Sequence, residues 1–85
     1  MQEITIRDEF IKLGQALKLA GFEESGVDAK YDIEDGKVTV NGVTETRRGK
    51  KLRDGDVFVV GGRQCRVAAP NALQKQAEQR ETTEP

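Results

Sequence analysis

The stretch Gly36-Lys37-Val38-Thr39-Val40-Asn41-Gly42, residues 36–42, decides how this chain folds. Its apolar and polar residues alternate, which is the pattern of a half-buried strand, and we place that strand at residues 37–41. Asn-Gly is typical of a tight hairpin turn because both residue types tolerate positive φ angles. The sequence therefore predicts a hairpin that turns at residues 41 and 42.

Two further strands are predicted downstream, on either side of a second glycine turn. Residues 57–60 form a short apolar run, Gly61-Gly62 is suited to a turn, and residues 64–68 place Cys65 and Val67 on one face. The single cysteine has no partner for an intramolecular disulfide, and free cysteines are usually buried. We expect a small, partly antiparallel sheet with Cys65 in its core.

A short strand and a first helix are predicted upstream. Residues 3–7 alternate polar and apolar side chains, so they are assigned to a strand. Asp8 is suited to cap a helix that Gly21 would end. The apolar stripe of that helix is predicted to consist of Phe10, Leu13, Leu17 and Ala20, with Lys12 and Lys18 off the stripe.

A second helix is predicted over residues 27–34. Ser25 and Asp28 form a capping box with a short acid, and Gly36 closes the helix. Ala29 and Ile33 are four residues apart and should pack on the first helix, with Lys30 at the rim. Tyr31 is interpreted as a half-buried edge residue rather than a base-stacking platform.

Length and composition indicate one small globular domain. The chain has 85 residues, of which 35% are hydrophobic and 34% charged, so its core is thin and most charges lie on the surface. We assign the domain to residues 1–69 and a polar, mobile tail to residues 70–85. No apolar run is long enough to span a bilayer or serve as a signal peptide, and we expect a cytoplasmic monomer with no membrane partner.

The residue types give little support to an enzyme. The chain has no histidine, which removes the commonest general base near neutral pH and leaves Cys65 without a zinc or nucleophile partner. Acidic residues of the first half lack the alternating spacing of a calcium loop and are interpreted as solvated helix surface. We expect a non-enzymatic protein with no catalytic residues, no metal and no cofactor.

Charge is distributed very unevenly. The net charge is −1 and the pI about 5.5, but residues 1–45 hold five Lys/Arg against ten Asp/Glu, whereas residues 46–66 hold seven against two. Residues 47–53, Arg-Arg-Gly-Lys-Lys-Leu-Arg, carry five cations and no acid. Strands on both sides would hold this run at the surface, so a polyanion is the expected partner.

The order of these motifs resembles a known family. Residues 25–42 have the pattern Ser-x-x-Asp-Ala-Lys-x-x-Ile-x-x-Gly-x-Val-x-Val-Asn-Gly, and basic residues and Leu52-x-x-Gly55-Asp56-x-Val follow. Over residues 8–60 this order resembles the RNA-binding domain named after ribosomal protein S4, in its small stand-alone bacterial form. The resemblance implies an α+β fold, with two N-terminal helices packed on a small, partly antiparallel sheet, and an RNA-docking αL motif.

The resemblance also implies a binding site. Lys30 matches a basic helix position of the family, and the basic loop follows the hairpin. Gly26, Tyr31 and Asp32 depart from the family pattern and weaken the helix half of the site. The predicted RNA-binding residues are Lys18, Lys30, Arg47, Arg48, Gly49, Lys50, Lys51 and Arg53.

The expected partner is structured RNA, ribosomal or transfer RNA, together with the ribosome or ribosomal proteins. Few aromatic residues are present, which favours recognition of shape and phosphates over base sequence. One alternative is a protein-interaction module that uses the acidic first half. A sulfur-carrier-like protein is another, because the chain contains Gly61-Gly62, but 23 residues follow that pair and would have to be removed.

Overall fold

The computed structural model describes residues 1–23 and 26–70, and within them it has two helices and seven strands. The strands are β1 (Gln2–Thr5), β2 (Ile11–Lys12), β3 (Val38–Val40), β4 (Val43–Thr44), β5 (Lys51–Leu52), β6 (Val57–Val60) and β7 (Arg63–Ala68). The helices are α1 (Leu13–Leu19) and α2 (Gly26–Glu34). No helix of the described part is long and apolar enough to cross a membrane.

The strands form a five-stranded sheet and a separate two-stranded ladder. The large sheet has the order β1-β7-β6-β3-β4, in which only the pairing of β1 with β7 is parallel among the described strands. The small ladder pairs β2 with β5 in antiparallel fashion. An α+β fold with two helices and a partly antiparallel sheet is therefore confirmed.

The hairpin predicted at residues 41–42 is confirmed. Side-chain hydrogen bonds fix it to the next turn. Asn41 has a left-handed φ of 52°, its Nδ2 donates to Asp56 Oδ1 at 3.1 Å, and its Oδ1 accepts the Val57 N–H at 3.0 Å. The other oxygen of Asp56 accepts the Arg53 N–H at 2.7 Å. The Asn-Gly and Gly-Asp motifs thus hold together the two turns that flank the basic residues.

One apolar core lies between the helices and one face of the large sheet. Leu13 and Leu17 of α1, Ile33 of α2 and Phe58 of β6 are all fully buried in one cluster. Cys65 is buried in the same cluster, as predicted, and burial raises the pKa of its thiol. A protonated thiol is a poor nucleophile, so Cys65 has a packing role.

The N-terminal part departs from the prediction in two ways. The description of two N-terminal helices is incorrect, because β1 and β2 precede α1. The helix predicted from Asp8 begins only at Leu13, and Lys12, which precedes it, makes no side-chain cap hydrogen bond. The reason is long-range: residues 11 and 12 pair with residues 52 and 51 and so are extended rather than helical.

The predictions for the second helix can be compared with α2. The second helix is confirmed, and its buried residues are Ala29 and Ile33, as predicted. Tyr31 was expected to be half-buried, but 57% of it is exposed. The Ser25 cap and the tail beyond residue 70 lie outside the described residues.

Candidate nucleic-acid interface

The basic segment, residues 47–53, is fixed to the start of α1 by the backbone. The Leu13 N–H donates to the Lys50 carbonyl at 2.8 Å, and the Gly14 N–H donates to the Arg48 carbonyl at 3.1 Å. The β2–β5 ladder extends this attachment to Leu52. Because the first N–H groups of a helix have no partner within it, the basic segment serves as the cap of α1.

The attachment creates a groove lined by three parts of the chain: α1 with the residue before it, α2, and the basic segment. We call it the basic groove; its volume is about 690 Å³. Its lining consists of Lys12, Gly14, Gln15, Lys18, Val27, Lys30, Arg48 and Gly49. Four of these are cations and none is acidic, so the groove has a concentrated positive potential even though the chain is slightly acidic overall.

A second hollow, of about 580 Å³, lies on the basic segment itself. It is lined by Arg47, Gly49, Lys50, Lys51 and Arg53. Gly49 lines both cavities, so the second hollow adjoins the basic groove there. Together the two cavities present eight cations to solvent without an acidic side chain in either lining.

Phe10 contacts two of the cations that line the second hollow. The Lys51 Nζ is 4.8 Å from the centre of the Phe10 ring, and the Arg53 guanidinium carbon is 5.7 Å from it. Such cation–π contacts hold the two side chains in place without neutralising them. The prediction that Phe10 belongs to the apolar stripe of a helix is wrong: Phe10 precedes α1 and is only half-buried.

The β2–β5 ladder places Lys12 directly opposite Lys51. Like charges at such positions destabilise a strand pair. Both lysines are exposed, and each lines a different cavity. An anion bound near either lysine would reduce this repulsion.

Within the described part of the chain, Arg47 differs from the other cations of the basic segment because it has an acidic partner. Its backbone N–H and Nε both donate to Glu45 Oε2 at 3.1 Å, and its Nη2 donates to Oε1 at 3.3 Å. These hydrogen bonds lower the pKa of the Glu45 carboxyl. Arg47 must share or leave Glu45 to bind another anion, so we expect it to contribute less than its neighbours.

Glycine at position 14 is required by the close approach of Arg48. A Cβ on Gly14 would lie 2.7 Å from Cγ and 3.3 Å from Cδ of Arg48. For Gly14→Ala we expect stability to change by less than about 1 kcal/mol, because the crowding of Arg48 offsets the preference of alanine for a helix. RNA binding should weaken about fivefold, because the Arg48 side chain is displaced. Titration of the variant with a hairpin RNA, alongside thermal unfolding, measures both effects.

Leu19→Ala is the control on the same helix, because the Leu19 side chain is exposed and lines neither the basic groove nor the second hollow. We expect this variant to bind within about twofold of the natural protein. Equal losses in the two variants would show that the contact with Arg48 does not position the basic segment.

The predicted site residues fall into two groups. Lys18, Lys30, Arg48 and Gly49 meet in the basic groove, and Gly49 with Arg47, Lys50, Lys51 and Arg53 forms the second hollow. The sequence prediction missed Lys12 and Gln15 as groove residues. For Gln15 a signal was available, because Gln15 and Lys18 lie one turn apart on α1.

Acidic residues gather away from the groove, around Glu23. A side-chain hydrogen bond with Asp32, partial burial and the charges of Asp32 and Asp28 raise the pKa of Glu23 to about 7, although Arg63 opposes the shift. Among the described residues, no group of three or more potential ligands is arranged to hold a metal ion. This carboxyl cluster is therefore interpreted as an acidic surface.

The raised pKa of Glu23 makes stability depend on pH. The folded state binds the proton of Glu23 more tightly than the unfolded state, so protonation of Glu23 stabilises the fold. This contribution is full below about pH 4.5 and is lost as the pH rises through about 7. For Glu23→Gln we expect a gain of about 1 kcal/mol in the free energy of unfolding at pH 8 and almost none at pH 5. Urea denaturation at the two pH values tests this; an equal gain at both would contradict it.

Fold and groove together define a small α+β domain with a cationic face. A family profile described as the S4 domain matches residues 4–68. The chain therefore belongs to the S4 domain family, as its motif order suggested.

Individual relatives agree with this assignment. Over 59 residues the chain is 46% identical to the "Probable ribosome maturation protein RlbA" of Bacillus subtilis, which covers 69% of this chain and 83% of the relative. It is 39% identical over 59 residues to the "Putative RNA-binding protein YbcJ" of Escherichia coli, with 69% and 84% covered. The solution structure of YbcJ, described as revealing an αL motif involved in RNA binding, superimposes with a TM-score of 0.66 at 34% identity, over 81% of this chain and 89% of that one.

Proposed function

We propose that this protein binds structured RNA, with the sugar-phosphate backbone in the basic groove and in the adjoining hollow of residues 47–53. The observation that carries the proposal is the groove itself, where three separate parts of the chain bring four cations together and no acid lines the cavity. Arginine can bind phosphate through two parallel hydrogen bonds, and lysine adds a mobile charge. The role is binding rather than catalysis.

Recognition is by shape and phosphates rather than by base sequence. The groove lining contains no aromatic side chain, and its polar groups are long, flexible cations with one glutamine. In double-stranded RNA the bases are hardly accessible, so proteins contact mostly phosphates and 2′-hydroxyls. The groove is suited to that kind of surface.

Ribosomal RNA is the first candidate among structured RNAs. One relative is named for ribosome maturation and another for RNA binding, and both cover more than two thirds of this chain. We infer a role in ribosome assembly, with transfer RNA as the second candidate. Crosslinking in cells, with the products sorted into RNA and protein, distinguishes these partners and also tests a protein-binding role for the acidic surface.

Salt dependence tests the proposal directly. If the basic groove and the adjoining hollow together neutralise about four phosphates, log affinity falls with log salt concentration at a slope of about −3. Affinity for a hairpin RNA should therefore fall about 60-fold between about 50 and 200 mM salt. Fluorescence anisotropy of a labelled hairpin measures this; no complex at micromolar protein in dilute buffer would refute RNA binding.

A further inference from the structure

Helix α2 has an apolar face that the core does not use. Ala29 and Ile33 are fully buried on one side of the helix. On another side, Val27 is 60% and Tyr31 57% exposed, and the two lie one helical turn apart. A small domain gains little stability from side chains placed in this way, so this face is available for a ligand.

This exposed face adjoins the basic groove. Val27 and Lys30 both line the groove, and Tyr31 follows Lys30 directly and lies one turn beyond Val27. Among the described residues, the Tyr31 side chain has no hydrogen-bond partner and no aromatic neighbour. An exposed aromatic ring therefore lies one helical turn from Val27, which lines a cavity with four cations.

We propose that Tyr31, with Val27 beside it, binds an unpaired nucleobase of the same RNA whose phosphates occupy the basic groove. The inference rests on the proposed function and narrows its ligand to RNA in which a bulge or loop interrupts the duplex. Stacking on an aromatic side chain is available to every base, so the identity of the base matters little.

Charge favours RNA over a protein partner at this face. An RNA with an unpaired base satisfies the cations and the ring at once, because phosphate and base belong to one nucleotide chain. A protein would need an apolar patch for Tyr31 and acidic groups for the groove. Asp28 and Glu34 each lie one turn from Tyr31 on the same helix, so they disfavour phosphates beside the ring and leave the place to an uncharged base.

The chain provides its own probe, because Tyr31 is its single tyrosine and it has no tryptophan. The test compares the binding of two hairpin RNAs that are identical except for one bulged nucleotide in the stem. The bulged RNA should bind about five- to tenfold more tightly and quench the tyrosine emission, whereas the continuous stem should bind without quenching. Equal affinities with unchanged emission would overturn the inference.

Three variants separate stacking from other effects of residue 31. Tyr31→Phe should keep the preference for the bulged RNA, while Tyr31→Ala and Tyr31→Leu should lose it and still bind the continuous stem with natural affinity. If Tyr31→Ala still prefers the bulged RNA, the inference is overturned. If Tyr31→Leu and Tyr31→Phe keep the preference and Tyr31→Ala loses it, the contact is simply apolar rather than stacking, and the inference is overturned too. Failure of both RNAs to bind the natural protein refutes the proposed function instead.

Discussion

In a chain that carries both Lys30→Gln and Arg48→Gln, we expect the affinity for hairpin RNA to fall about 50-fold at about 0.1 M salt. These side chains come from α2 and from the basic segment, and both line the basic groove. Each phosphate contact contributes a slope of about −0.9, which corresponds to roughly eightfold in affinity at about 0.1 M salt. The slope of log affinity against log salt should therefore become less steep by about two.

The matched control is Arg63→Gln with Arg66→Gln, which changes the net charge by the same amount. Both arginines belong to β7, are exposed, and line neither the basic groove nor the second hollow. We expect this variant to bind within about threefold of the natural protein. If the two double variants lose affinity equally, overall charge rather than the groove attracts the RNA.

The second large effect is expected for Asn41→Ala, which should lower the free energy of unfolding by about 2–3 kcal/mol and Tm by about 10–20 °C. Asn41 has a left-handed φ of 52°, and alanine tolerates this conformation poorly. The substitution also removes the hydrogen bonds to Asp56 and to the Val57 N–H. Thermal and urea unfolding measure the loss.

Two further variants divide this loss into its causes. Asn41→Gly keeps the turn conformation and removes only the side-chain hydrogen bonds, so about half of the destabilisation should remain. Asn41→Asp keeps an acceptor for the Val57 N–H but places a carboxylate against the carboxylate of Asp56. This variant should therefore be less stable at a pH where both carboxyls are ionised than at a lower pH where they are protonated. An Asn41→Gly chain as unstable as Asn41→Ala would show that the backbone conformation contributes nothing.

Helix α2 explains how an acidic chain can offer a cationic site. Lys30 lines the groove, whereas Asp28 and Asp32, one turn apart, lie near Glu23 on another side of the helix. The buried residues Ala29 and Ile33 fix the rotation of the helix between these two sides. The acidic surface would repel a polyanion that approaches from that side.

The features that depend on neighbouring residues were predictable from the sequence. Asn41-Gly42 and Gly61-Gly62 are turns in the structure, and the strands beside them pair with each other. Both dipeptides adopt positive φ angles, which few residue types tolerate, so a local pattern was enough. The burial of Ala29 and Ile33 follows in the same way from their helical spacing.

Features that depend on distant residues were not predictable. The β2–β5 ladder joins two-residue strands about 40 residues apart, too short for any alternating pattern. Phe10 matched the helical spacing of Leu13 and Leu17, but that spacing cannot show that residues 11 and 12 pair with the basic segment. The groove position of Lys12 depends on this ladder, and so it was missed.

The parallel pairing of β1 with β7 has a consequence for synthesis. Residues 2–5 are translated before the other strands of the sheet, yet their partners are residues 65–68 of its last described strand. A nascent chain that stops before β7 leaves both β1 and β6 with an unpaired edge and part of the core open to water. We therefore expect this domain to close only after nearly all of its residues have left the translating ribosome.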